Sequence, residues 1–156
     1  MIGTALLAEA LTHKTGKDFN TLLKDEILTP LSMNNTFVTP NASQSKLFLT
    51  GHTAKGNVTI HRNYNVFTPA AGIRSNATDL LRFMQANLSN KNNNLDIALS
   101  ETHIPKLYTD PADSRFMVGW GWIVMPAGEK DKRKIVWQCS EKGEIGRASC
   151  RERVCT

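Results

Sequence analysis

Two apolar runs late in the chain constrain the fold more than any other feature. They are Phe116–Met125 (FMVGWGWIVM) and Lys134–Gln138 (KIVWQ), both rich in aromatic and branched residues. Short runs of this kind read as strands. The stretch that separates them ends in Glu129–Lys134 (EKDKRK), which alternates in sign and reads as a solvated turn. Strands joined by so short a connection pair antiparallel. The late part of the chain is therefore expected to build an antiparallel sheet.

Upstream, the apolar period is helical. Ile2, Leu6, Leu7, Ala10 and Leu11 share one face of a helix, with His13 and Lys14 at its negative end and Gly16 able to close it. A second helix is expected from an Asp18 cap to about Leu28, with Phe19, Leu22, Leu23 and Ile27 inward and Pro30 stopping it. Leu47–Thr53 and Asn57–His61 are two strand candidates joined through a turn at Lys55-Gly56. A third helix follows Ser75 or Asn76 as cap, with Asp79 at its positive end and Leu80, Leu81, Phe83, Met84 and Leu88 as its stripe. A further helix is expected over Leu95–Thr102, ended by Pro105.

Composition narrows the function classes. A formal charge of +5 is carried by scattered Lys and Arg, not by a face or stripe, so it does not favour nucleic acid as a partner. No run approaches the roughly 20 apolar residues of a membrane-spanning helix. His13, His52, His61 and His103 show no metal-ligand spacing; His52 and His61 could meet across a hairpin but have no acidic or cysteine partner nearby. No metal and no cofactor is expected. The Gly119–Trp122 stretch (GWGW) lacks the third glycine and following helix of a phosphate loop. N-x-S/T triplets at Asn34, Asn41, Asn57, Asn76 and Asn87 matter only in a eukaryotic secretory setting, which nothing in the sequence indicates. Ser43-Gln44-Ser45-Lys46 fits S-x-x-K and Lys14-Thr15-Gly16 fits K-T-G, both boxes of penicillin-recognising serine enzymes. Their settings argue against that role. Ser43 is expected in a polar loop led by Pro40, and Lys14 at a helix end.

Longer stretches carry a resemblance. Leu6–Leu11, Thr15–Phe19 (TGKDF) and Ile27–Thr36 (ILTPLSMNNT) resemble, in the serine β-lactamase-like family, an apolar helix, T/S-G-x-x-F and I-L-x-P-L-G-M-x-x-T. That family holds class C β-lactamases, penicillin-binding DD-peptidases and related esterases. Thr50-Gly51-His52 is similar to its T-G-Y hairpin, and Pro69–Leu80 (PAAGIRSNATDL) to its P-A-G-G-x-x-S-T-x-x-D-L. Val118–Trp122 (VGWGW) resembles its G-x-G-W strand.

The resemblance implies an α+β fold, an antiparallel sheet flanked by helices plus a helical subdomain, of which this chain would supply part. It implies acyl transfer by a serine, exported parentage, and a small-molecule or peptide substrate: a β-lactam, a D-Ala-D-Ala peptide or an ester. The S-x-x-K and Y-x-N boxes are expected upstream of Met1, which then reads as an internal methionine, and this chain by itself is expected to be inactive. The third box is expected on the strand after G-W-G-W, where Gln138, Cys139 and Ser140 fall on K/H-x-G and make a degenerate substrate-binding box. That degeneracy also leaves open a non-catalytic binding module on the same scaffold, or a cysteine chemistry at Cys139. Glu144–Cys155 (EIGRASCRERVC) resembles the translation of a short-read sequencing adapter. Residues 1–143 are thus expected to be the partial domain and 144–156 a non-native tail, which would remove Cys150 and Cys155 from any redox argument.

Overall fold

In the computed structural model, residues 2–53, 55–59, 63–89, 93–110, 113–125, 134–138, 144–145 and 152–155 are described. They form an α+β structure in two compact units, Met1–Phe83 with Gly143–Gly146, and Met84–Lys142 with Arg147–Thr156.

The first unit begins with α1 (Ile2–Thr15), a run of strong helix formers. Gly16 follows at φ +68°, the left-handed closure its sequence position predicts. The helix turns its small residues inward: Ala8 is buried and Ala5 and Thr12 half-buried, while Ile2, Leu6, Leu7 and Leu11 are exposed. Asp18 caps α2 (Phe19–Leu23), accepting from the Thr21 N–H at 3.1 Å. The expected helix continues to Leu28, but its second half, Lys24–Leu28, widens into a π-helical turn in which the Thr29 N–H reaches the Lys24 carbonyl at 2.9 Å. Pro30, with no N–H to give, follows directly. Ser32 then takes φ +55°, the left-handed region, at the position where the resembled pattern carries glycine.

Ala42–Ser45 forms α3, a single capped turn where a loop was expected; Asn41 and Gln44 close a reciprocal capping box. Within the strand candidates lie β1 (Gly51–Thr53) and β2 (Val58–Thr59), antiparallel, with Gly56 at φ +83° in the expected turn; residues 60 and 61 lie outside the described residues. β7 (Glu144–Ile145) pairs on the other side of β1. A 3-10 turn at Asn65–Phe67 leads into α4 (Thr68–Ala71), and both pack on α1. Phe37 and Arg74 exchange two backbone hydrogen bonds of 2.9 and 2.8 Å.

The division between units falls inside α5 (Ala77–Asn87). Its cap is Asn76, whose Oδ1 accepts from the Asp79 N–H at 2.8 Å. Of the expected stripe Leu80, Phe83 and Met84 are half-buried, whereas Leu81 and Leu88 are exposed, and the buried positions are Asp79, Ala86 and Asn87.

In the second unit α6 (Asn94–Thr102) is capped by Asn93. A five-stranded antiparallel sheet follows in the order β3-β4-β5-β6-β8, from Leu107–Asp110, Asp113–Val118, Ile123–Met125, Ile135–Gln138 and Glu152–Cys155. Its core is Val124 and Val136, both fully buried. β5 and β6 pair as expected, Val124 opposite Val136. Phe116–Met125 is not one strand but a hairpin of its own, because Gly121 sits at φ +82° and the Gly119 N–H closes on the Trp122 carbonyl at 2.8 Å. The charged turn lies outside the described residues except Lys134.

Candidate functional site

Of the expected third box, only its first residue is placed. β6 carries Val136 into the core, sets Trp137 edge-on to Phe116 at 5.5 Å, and ends on Gln138, which is exposed. Gln138 therefore ends the strand one residue past its pairing with β5, where Trp137 lies opposite Ile123. Cys139 and Ser140 lie outside the described residues.

The short sequence matches are brought nowhere near a catalytic arrangement. Ser43 and Lys46 are both exposed on the surface turn α3. Lys14 and Thr15 end α1, where Thr15 Oγ1 donates to the Leu11 carbonyl at 2.7 Å. Among the histidines, His13 is exposed at the end of α1, His52 is half-buried on β1, and His61 lies outside the described residues. Among the described residues no three of His, Cys, Asp and Glu cluster to hold a metal ion, and no helix is long and apolar enough to cross a membrane.

Two buried polar centres emerge that sequence reasoning missed. In the first unit the Asp79 carboxylate, fully buried, accepts from the Asn35 N–H at 2.7 Å and the Thr36 hydroxyl at 2.9 Å through Oδ2. Its Oδ1 faces the Arg82 guanidinium at 3.2 Å, and Arg82 also donates to the Ser32 carbonyl. Thr36 and Ser75 share a further hydrogen bond of 2.7 Å. The carboxylate thus locks the connector after Pro30 onto the start of α5, a supporting role and not a reactive one. In the second unit His103 is buried at the end of α6, its Nε2 2.9 Å from Asn87 Oδ1 and its ring edge-on to Trp122 at 5.2 Å. Burial, and then the nearby Lys134 charge, hold the His103 pKa below its ordinary value. The one sequence signal for this centre was the second tryptophan of G-W-G-W, read as a strand residue.

The first unit also carries a cleft of about 230 Å³ lined by Thr39, Pro40, Asn63, Tyr64, Thr68, Gly72 and Arg74. The Arg74 guanidinium bonds to the Val38 and Gly72 carbonyls at 3.3 Å and lies 5.2 Å over the Phe48 ring. It braces the wall of the cleft.

Against known proteins, the chain resembles D-alanyl-D-alanine-carboxypeptidase/endopeptidase AmpH of Escherichia coli K12, at 26% identity over 133 residues, 80% of this chain and 34% of that one. The chain therefore spans about a third of the length of the curated relatives it matches. The β-lactamase/D-alanine carboxypeptidase of Pseudomonas syringae superposes with a TM-score of 0.75 at 16% identity, over 90% of this chain and 46% of that one. A class C β-lactamase of Rhodobacter sphaeroides gives 0.77 at 15% identity, over 91% and 48%. These structures share the fold. The β-lactamase family model itself matches residues 1–146, which takes in all the resembling stretches and both buried polar centres. The chain belongs to the β-lactamase family.

Proposed function

We propose that this chain is part of a serine hydrolase that works through an acyl-enzyme, and that by itself it is inactive. The observation that carries the reading is the family match over residues 1–146. In the parent, a serine Oγ would attack an amide or ester carbonyl, expel the amine or alcohol, and leave an ester that water cleaves to restore the serine. The nucleophile and Y-x-N boxes would lie on a preceding segment. This chain would contribute Gln138, Cys139 and Ser140 to the substrate side. Exposed Gln138 can donate an amide N–H to a substrate carboxylate, but a neutral donor makes roughly half the bond that a cationic one would. Substrates would be β-lactams, D-Ala-D-Ala peptides or esters, in an exported parent.

The 156-residue product is expected to show no labelling by fluorescent penicillin and no burst with p-nitrophenyl acetate. Acylation by either would overturn the inactive-fragment reading. The degenerate Gln138-Cys139-Ser140 favours one rival, a non-catalytic binding module. An upstream reading frame with intact S-x-x-K and Y-x-N decides for the enzyme. Residues 144–156 are proposed to be a non-native tail, on the resemblance of EIGRASCRERVC to an adapter translation; the family match reaches residue 146. Amplifying the locus from source DNA tests this, and a native gene encoding EIGRASCRERVC would refute it.

A further inference from the structure

Four elements of the second unit meet at one titratable ring. His103 caps the end of α6 and is 2% exposed. Its Nε2 lies 2.9 Å from Asn87 Oδ1 at the end of α5, which makes Nε2 the protonated nitrogen of the neutral ring. Trp122, just before β5, lies edge-on to the ring at 5.2 Å. Lys134, just before β6, donates from Nζ to the His103 carbonyl at 3.4 Å. The G-W-G-W hairpin is seated at the same place. The Trp120 N–H donates to the Thr102 carbonyl at 2.9 Å, and Gly119 comes so close that a Cβ there would collide with that oxygen.

We propose that His103 is an acid-sensitive latch: when its ring is protonated, the end of α6 lets go of the G-W-G-W hairpin in a local opening that leaves β5 and β6 paired. The added proton must sit on Nδ1, to which no acceptor is bonded among the described residues. The resulting charge is held out of water beside a second cation. α5 presents Asn87, the hairpin Trp122 and β6 Lys134, so no acidic side chain among the described residues compensates. Burial and then the Lys134 charge hold the closed ring's pKa below the ordinary 6.5, which the opened ring regains in water. The latch therefore holds fully above pH 6.5, and its hold is gone below the lowered value. Between the two, one proton is taken up on opening, so the ratio of open to closed molecules rises about tenfold per pH unit. The opening is local because few contacts are lost: the Asn87 bond, the Trp122 ring contact and the Trp120–Thr102 bond. β5 and β6 are held separately by their own pairing and by Val124 and Val136, both fully buried.

The test is native-state amide exchange on the full 156-residue chain over about pH 7.5 to 5, read as protection factors. Protection of the Trp120 amide is expected to fall about tenfold per pH unit below 6.5, while amides of the β5–β6 ladder keep theirs. The His103 ring is expected to titrate below 6.5 by NMR. His103→Gln keeps a donor for Asn87 Oδ1 but cannot take the proton, so its Trp120 protection should not change with pH. Lys134→Gln removes the repulsion and should flatten the fall, and it carries the test alone where His103→Gln does not fold. A ring that titrates at or above 6.5, as it would if the Trp122 ring face held the imidazolium, overturns the proposal. So does a slope unchanged in a folded variant. A ladder that loses protection in step with Trp120 also overturns it, because the whole unit would then be unfolding.

Discussion

Asp79→Ala removes the carboxylate on which the first unit turns. The side chain is fully buried and serves the Asn35 N–H, the Thr36 hydroxyl and the Arg82 guanidinium. The three donors do not suffer equally. Arg82 is 41% exposed and keeps the Ser32 carbonyl, so water replaces what it loses. Thr36 keeps Ser75 at 2.7 Å. The Asn35 N–H has only the carboxylate among its described partners, and a hydrogen bond to a charged group is worth about 1.5–3 kcal/mol. Adding the lost Thr36 bond and the small void, the loss should reach about 2–4 kcal/mol. That is a large share of the roughly 5–15 kcal/mol that holds a domain together. Arg82→Ala leaves the buried Asp79 Oδ1 without its guanidinium and should cost about 1–3 kcal/mol, less than Asp79→Ala because the Asn35 and Thr36 bonds remain. Urea unfolding followed by far-ultraviolet circular dichroism measures both, and amide exchange at Asn35 reports the bond itself. A loss below about 1 kcal/mol for Asp79→Ala, or an Asn35 amide that exchanges as slowly as before, would refute the reasoning.

Ser32→Gly should stabilise the chain by roughly 0.5–1 kcal/mol, because the φ of +55° strains a residue with a Cβ more than glycine loses in entropy; an unchanged or lower urea midpoint would contradict it. His103 has its pKa lowered from the ordinary 6.5, so the unfolded state takes a proton first, and the contribution of the buried neutral ring is complete above that pH and lost as pH falls through the lowered value. Tryptophan fluorescence should therefore show the second unit weakening in acid, with a flatter pH slope in His103→Gln; identical slopes would remove His103 as the cause. Gly119→Ala drives a Cβ into the Thr102 carbonyl oxygen and should cost about 1–3 kcal/mol, whereas Gly121→Ala meets open space and should cost only the roughly 1–2 kcal/mol of its φ of +82°. Thermal melts of the two variants, with side-chain resonances of Trp122 as the local readout, separate a clash from a strained turn.

Much of the fold was legible because local chemistry set it. Asp18, Asn76 and Gly16 act at helix ends as their types dictate, and the Lys55-Gly56 turn falls where glycine allows φ +83°. The failures share one cause. Periodicity says which residues lie together on a face but not which face meets the chain's own core. Ile2, Leu6, Leu7 and Leu11 are exposed on α1, and so are Leu81 on α5 and Leu88 just after it. The hairpin inside Phe116–Met125 was hidden because two tryptophans mask a glycine turn in an otherwise continuous apolar run. β3 was missed because Leu107–Asp110 mixes apolar and polar residues and earns its place by pairing with β4, not by pattern.

The resembling stretches acquire a physical meaning only when they meet in space. As sequence, ILTPLSMNNT and SNATDL are two patterns forty-odd residues apart, and each position in them looks like a local preference. In the structure the threonine that ends the first and the aspartate of the second are partners: Thr36 and the Asn35 N–H bind Asp79, and Ser75 binds Thr36. The glycine position of the first pattern, here Ser32, lies in the left-handed turn whose carbonyl Arg82 holds. A threonine, a serine, an aspartate and a left-handed residue are thus parts of one latch, and none is explained by the helix or turn it sits in. Asp79 was read as an N-terminal helix charge, worth a few tenths of a kcal/mol to about 1 at the surface. Burial makes the same carboxylate worth several times that, because donors that water would otherwise satisfy now depend on it. The latch therefore joins four residue types drawn from two patterns into one contact.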